Sequence, residues 1–345
     1  MSNCDSLQNT LQPPERFRAR LALVTATALW GVSFPAIKTS YLLMADLLPD
    51  AGTRLLTHYV LAPRFLLGGL FFALWLGRDM WRITRREGEQ GAWLVLFLTG
   101  GIWLQNEGLH ETSASVSAFL TQFFVILIPL WHALRQRSRP ENRALLASAL
   151  VLAGVAILGR FDWTALRFGR GETLTLLSTI FFAGQIVCLS EPRYAKNNPV
   201  RVCMLMLGGT GIFFAVMLAR QAPAGATAWI PMTSPGWWAL TLSLTLLCTV
   251  GAFGLMNRWQ PKISSTEAGL IYGLEPVFAS LLALFLPGLV SSALGIHYAN
   301  EAATFTLFVG GALIVAANVL FHRQSEAPIP PPTASPPPPP AKPCP

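Results

Sequence analysis

A chain of 345 residues, 52% hydrophobic and 12% charged, cannot clothe a water-soluble surface, which carries about a quarter charged residues. At about 20 apolar residues per crossing of a hydrocarbon core about 30 Å thick, the length accommodates about ten spans and excludes a sizeable soluble domain. The net charge of +8 would suit phosphate binding, but the basic residues sit in short loops between apolar runs, where they orient a membrane protein; no nucleic-acid partner is expected.

Residues 1–17 read as a cytoplasmic segment, polar as far as Pro14 and then basic at Arg16 and Arg18, with Arg20 close behind. The apolar run that follows outlasts a signal-peptide core and ends in no clear cleavage site, so it is expected to stay as a first helix. Apolar segments recur at 20–44, 56–77, 92–110, 113–134, 143–160, 171–190, 199–219, 236–257, 266–287 and 303–322. With the N-terminus inside, 18 of the 25 basic residues fall in cytoplasmic connectors, while Arg54, Arg160, Arg167, Arg170 and Arg220 fall outside. Both termini are therefore expected in the cytoplasm. The outer connectors 45–61 and 287–300 exceed simple turns and are expected to cover the outer mouth of a pathway. Cys188, Cys203 and Cys248 lie in apolar runs and Cys4 and Cys344 near the ends, with no metal-type spacing. Residues 326–345 are mostly proline, a composition for solvated polyproline II rather than helix.

The two halves look alike. Thr112-Ser-Ala-Ser-Val-Ser-Ala-Phe-Leu opens the fourth apolar segment and Ser264-Ser-Thr-Glu-Ala-Gly-Leu-Ile the ninth, each small and hydroxylic before turning apolar. Five spans per half make the second half enter from the opposite side, the signature of an inverted repeat with a site near the midplane. The expected fold is thus an all-α membrane protein of about ten transmembrane helices in two inverted five-helix repeats. The repeats are placed at 18–160 and 171–325, joined by a loop at 161–170.

Four stretches resemble one family. Leu29-Trp-Gly-Val-Ser-Phe-Pro-Ala-Ile-Lys38 resembles the first-helix signature of EamA-type drug/metabolite transporters, and Pro63-Arg-Phe-Leu-Leu-Gly their second-helix start. Gln105-Asn-Glu-Gly-Leu-His-Glu-Thr-Ser-Ala-Ser-Val-Ser-Ala-Phe-Leu120 is similar to their junction of helices three and four. Asn257-Arg-Trp-Gln-Pro-Lys-Ile-Ser-Ser-Thr-Glu-Ala-Gly-Leu-Ile-Tyr-Gly-Leu-Glu-Pro276 is similar to that of helices eight and nine. The resemblance implies two inverted repeats, a central cavity and transport of amino acids, sugars or other metabolites across the cytoplasmic membrane, often outward. The chain departs from the family twice: Val125 stands where the second half has Pro276, and 287–300 replaces a short Gly-Glu turn.

Polar side chains inside spans are functional candidates by default, because hydrocarbon penalises them unless they are paired or face water. Glu275 lies near the middle of its span and is the leading candidate for a titrating or substrate-binding carboxylate; the competing role is support of the break before Pro276. Lys38 either snorkels to the interface or serves as a cavity cation. Trp30, Phe34, Trp103, Asn106, Gln122, Gln185 and Tyr272 offer apolar walls with polar tips, as a pocket for a small amphipathic molecule requires. Arg64 reads as an interfacial anchor where the second helix enters, with phosphate or carboxylate recognition as the alternative, and Glu267 as a helix-capping carboxylate. Gly269 and Gly273 read as a thinned packing face.

No cofactor, metal or catalytic group is expected: His-Glu-x-x-His and Gly-x-Ser-x-Gly are missing, and the histidines at 58, 110, 132, 297 and 322 are scattered. A multi-pass enzyme and a structural or sensory protein remain the alternatives to transport. The expected partners are a small-molecule substrate and the lipid bilayer, with proton coupling and a homodimer left open.

Overall fold

The structure is a computed structural model describing residues 13–162, 164, 169–222 and 225–325. Among these residues every regular element is helical, so each segment can satisfy its own backbone in hydrocarbon. The helices are α1 (Pro13–Leu47), α2 (Thr53–Leu76), α3 (Arg85–Leu109), α4 (Ala114–Thr121), α5 (Phe124–Gln136), α6 (Asn142–Leu158) and α7 (Arg170–Leu189). They continue as α8 (Pro199–Gln221), α9 (Pro235–Ser243), α10 (Ala252–Trp259), α11 (Ser265–Tyr272), α12 (Glu275–Ala283), α13 (Leu286–Leu294) and α14 (Phe305–Ser325). Cys4, Cys344 and the proline-rich tail lie outside the described residues.

Among the described residues seven stretches are long and apolar enough to cross a membrane: α1, α2, α4 with α5, α7, α8, the run from α9 through α10, and α14. The unit α11–α12–α13, bent by 55° before Leu286, makes an eighth. Apolar α6 has only 17 residues, and α3 has the length but carries Gln105, Asn106 and Glu107 toward its end. The about ten spans expected from the ~20-residue crossing length are thus seven or eight by length and composition.

The bundle is built from paired helices. α2 packs on α8, α3 on α7 and α8, and α6 on α14, while α1 packs on α10 and α12, and α7 on α4 and α5. Two crossings depend on glycine. A Cβ on Gly69 of α2 would stand 2.7 Å from the Gly208 Cα of α8, and one on Gly154 of α6 would stand 2.7 Å from the Gly310 carbonyl oxygen of α14. Without side chains these backbones approach closely, as small residues allow in membranes. Gly269 and Gly273 face Ile128 and Val151 respectively, as a packing face should.

The spans α4–α5 and α11–α12 are broken in the same register. Ser113 and Ser264 each cap an eight-residue helix, their hydroxyls accepting from Val116 N–H at 3.2 Å and Glu267 N–H at 3.1 Å. Each helix then breaks before Phe124 or Glu275. Pro276 explains the second break. The first lacks a proline at the matching Val125, yet Pro129, four residues on, has no N–H for the Val125 carbonyl. Ser148 of α6 takes that carbonyl instead, its Oγ donating at 2.7 Å.

The outer connectors differ from expectation. α1 continues to Leu47 and α2 begins at Thr53, so the expected 45–61 connector shrinks to a turn around Pro49 and Gly52. In the expected 287–300 loop, residues through Leu294 form α13, ended by Gly295 at φ +68°. The remaining loop folds back on the helices: Asn300 Oδ1 accepts from Gly288 N–H at 2.6 Å, and Glu301 N–H donates to Ala283 O at 2.9 Å.

Candidate functional site

Arg64 is the residue that local reading misplaced. Because α2 starts at Thr53, Arg64 sits at the helix midpoint and is only 6% exposed, which rules out an interfacial anchor. A guanidinium cannot shed its charge, so its burial demands partners. Its Nε donates to Thr249 Oγ1 at 2.6 Å and its NH2 group reaches Cys248 O at 3.4 Å. That carbonyl is available because Leu244–Gly251 is a π-helix: Ala252 N–H bonds Leu247 O, leaving Cys248 O without the usual helical donor. Such bulges are frequent at functional sites.

Glu275, half-buried as the first residue of α12, lies within electrostatic reach of Arg64. An aromatic wall adjoins the pair. The Arg64 guanidinium lies 5.4 Å from the Phe65 ring centroid, Phe65 contacts Phe253 at 6.3 Å, and Phe253 meets Trp30 edge-on at 5.2 Å. Trp30 also meets Tyr272 at 5.3 Å, and its buried Nε1 has no hydrogen-bond partner.

The other predicted residues divide. The Tyr272 hydroxyl is committed, donating to Gln260 Oε1 at 2.9 Å, while Gln260 Nε2 donates to Ile186 O at 2.6 Å and Ser190 Oγ at 3.1 Å. Tyr272 therefore offers its ring only. Gln185 is buried against the thioethers of Met206 and Met256, at 3.7 and 4.0 Å. Gln122 is buried at the α4–α5 break, its Oε1 without a hydrogen-bond partner. Trp103 and Asn106 instead line a pocket at the end of the bundle where α2 begins, with Arg54, Thr57, His58, Glu107, His110 and Phe214. Arg54 and Glu107 form an ion pair there at 2.7 Å. Phe34 is 53% exposed. Lys38 is also exposed, its ammonium 5.8 Å from the Tyr298 ring centroid. Trp30, Tyr272 and Glu275 thus come together, and Arg64, Phe65, Thr249 and Phe253 complete the group.

Glu267 serves as more than a cap. Arg20 Nε donates to its Oε1 at 2.6 Å, and His322 Nδ1 stands 3.2 Å from the same oxygen. This clasp joins the start of α1 to the end of α14, so the two ends of the described chain share one face, the termini face. His132 meets Ser265 beside it, and Arg135 makes two hydrogen bonds to Glu191, at 2.6 and 2.9 Å. Those bonds hold the Glu191 carboxyl below the ordinary carboxylate range, against the opposing effect of burial. Among the described residues no three His, Cys, Asp or Glu side chains gather as metal ligands would.

Long apolar helices with Arg64 buried among them make this a multi-pass α-helical membrane protein. Residues 18–160 match the EamA-like transporter family. Over that stretch, 143 of the 345 residues, the chain resembles EamA-type transporters. It is similar to two proteins of Archaeoglobus fulgidus, each described as an uncharacterized transporter. One is 25% identical over 276 residues, 78% of either chain. The other is 23% identical over 309 residues, 87% of this chain and 95% of that one. A solved crystal structure, 18% identical, shares the fold with a TM-score of 0.67 over 90% of this chain and 99% of the other.

Proposed function

We propose that this protein moves a small metabolite, amino acid or drug-like molecule out across the cytoplasmic membrane, by alternating access around a central cavity between two inverted five-helix repeats. The observation that carries the reading is the Arg64 and Glu275 pair. One charge comes from the first half of the chain and the other from the second, as do the Thr249 and Cys248 groups that hold Arg64. Any rocking of one half against the other must rework the hydrogen bonds from Arg64 to Thr249 and Cys248 beside Glu275, which makes this a natural place for cargo or a proton to act.

Helix pairing supports the repeat. Counting α4–α5, α9–α10 and α11–α13 each as one unit gives ten helical units. Exchanging each unit of the first half with its counterpart in the second maps α2 on α8 and α6 on α14 onto themselves. The same exchange turns α3 on α7 into α10 on α1, and α4–α5 on α7 into α12 on α1. On this reading α3 and α6 also cross the bilayer, both termini are cytoplasmic, and Glu275 binds cargo or couples protons.

Uptake and efflux in proteoliposomes, screened against a metabolite panel with and without a proton gradient, tests the proposal. The expected result is a saturable flux whose pH dependence disappears in Glu275→Gln. Wild-type flux with a wild-type pH profile in that variant would leave Glu275 a structural role only, and no flux for any cargo would overturn the reading as a whole.

A further inference from the structure

The connector between α2 and α3 carries charges that the bundle does not use. α2 ends at Gly77, whose φ of +52° turns the chain into the short helical turn Gly77–Trp81. Arg78, Arg82, Arg85 and Arg86 follow within a few residues, all exposed. A floppy basic loop would need no explanation beyond orientation of the chain, but this one is pinned. Arg201 of α8 donates to Asp79 O at 3.1 Å and pairs with Glu87 at 3.2 Å. Asn197 donates to Arg86 O at 3.2 Å, and the Thr84 and Asn198 N–H groups donate to Glu87 at 2.8 and 2.9 Å.

Those bonds consume the nearby acceptors. Glu89 is likewise taken, by Tyr194 at 2.8 Å and Arg193 at 3.2 Å. Arg82 keeps only a long contact to exposed Asp79, at 3.4 Å. Among the described residues Arg78, Arg85 and Arg86 have no carboxylate partner. Two indoles flank them, Trp75 at 70% and Trp81 at 81% exposure, alongside Leu74 at 73%. Tryptophan settles at headgroup depth, so the connector sits where lipid phosphates lie. Guanidinium forks match phosphate oxygens in pairs, and a rigid backbone has already ordered the groups that would bind.

We propose that this connector is a binding site for the phosphate of an anionic phospholipid in the leaflet on the termini face. Arg78, Arg82, Arg85 and Arg86 supply the donors, and Trp75 and Trp81 hold the glycerol and acyl region. The site needs the protein to lie in a bilayer but does not depend on its cargo or on transport, so its failure would leave the transport reading untouched.

The test titrates purified full-length protein in neutral detergent with phosphatidylglycerol, phosphatidylcholine or inorganic phosphate, reading the thermal unfolding midpoint and the lipid retained in native mass spectra. Phosphatidylglycerol should raise the wild-type midpoint and be retained, and the other two should not. In R78Q/R82Q/R85Q/R86Q the half-saturating concentration of phosphatidylglycerol should rise roughly tenfold, because the paired phosphate contacts are gone. R137Q/R139Q, on the α5–α6 connector, should respond as wild type does. Trp81→Ala keeps every charge, and therefore the orientation of the chain, and should weaken retention even if the quadruple variant fails to insert. Equal responses to phosphatidylglycerol and phosphatidylcholine, an effect of inorganic phosphate alone, the same loss in R137Q/R139Q, or wild-type retention in Trp81→Ala would each overturn the proposal.

Discussion

Arginine and glutamate respond differently when either loses the charge of the other. If Arg64 is removed, Glu275 can neutralise itself by binding a proton, whereas removing Glu275 leaves a guanidinium that cannot lose its charge. Glu275→Gln should therefore insert but be less stable than the wild type, because Arg64 then keeps only its hydrogen bonds to Thr249 and Cys248. Arg64→Gln should lose less, and R64Q/E275Q should regain part of the Glu275→Gln loss. Thermal unfolding in neutral detergent checks the order, and a double variant less stable than Glu275→Gln would show that the two do not act as a pair. Glu275 was legible in the sequence because an acid deep in an apolar run stands out. Arg64 was not: the turn around Pro49 and Gly52 hid the true start of α2 at Thr53, and its anchors lie 184 and 185 residues away. Trp103 and Asn106 were read as pocket residues without a depth, because side chains of their kind look alike at any level of a span. Their position near the end of α3, beside the Arg54 and Glu107 pair, puts them at the bundle's end instead.

Helix breaks were half legible. Pro276 announces one, but no proline marks the break at Gln122, and the Val125 carbonyl that Pro129 leaves free is taken by a serine on another helix, a pairing that no local pattern reveals. Ser148→Ala should leave the Val125 carbonyl unsatisfied in an apolar setting and cost about 1–3 kcal/mol. In a Pro129→Ala background the restored N–H can take that carbonyl, so adding Ser148→Ala should then cost little. Equal losses in both backgrounds, measured by thermal unfolding, would show that Ser148 acts in some other way. The π-helix at 244–251 had no sequence signal either, since its apolar residues suit an ordinary helix equally well. The crossing of α2 and α8 allows a second element-scale prediction. Gly69→Ala drives a methyl into the Gly208 backbone, whereas a methyl on Gly208 meets nothing within 4 Å. The first should cost about 1–3 kcal/mol, as overpacking does, and Gly208→Ala should be nearly neutral. A reversed order in unfolding midpoints would mean that the helices cross elsewhere.

The two ends of the bundle are fastened differently. On the termini face Glu267 clasps Arg20 and His322, with Glu267 and Arg20 side chains only 8% and 15% exposed. The matched cap register puts Val116, which has no charge, at the corresponding place near the opposite face. The interhelical ion pairs there, Arg54 with Glu107 and Arg170 with Glu111, leave their arginines 52% and 69% exposed, and exposed pairs contribute little. A two-ended pathway with one strongly fastened end should rest closed at that end. The clasp lies between α1, α11 and α14, so loosening it should admit water from the termini face toward the break before Glu275. Leu274→Cys, at that break and partly exposed, is a suitable reporter, because the native Cys188, Cys203 and Cys248 are buried and Cys4 and Cys344 can be replaced by serine. Reaction with a membrane-impermeant maleimide from the termini side should be slow in the Leu274→Cys protein and several-fold faster once Glu267→Gln is added. Reaction from the opposite side should fall or stay the same. If Glu267→Gln speeds labelling equally from both sides, the variant has loosened the whole bundle, and if it changes neither rate, the clasp ties the chain ends together without closing the path.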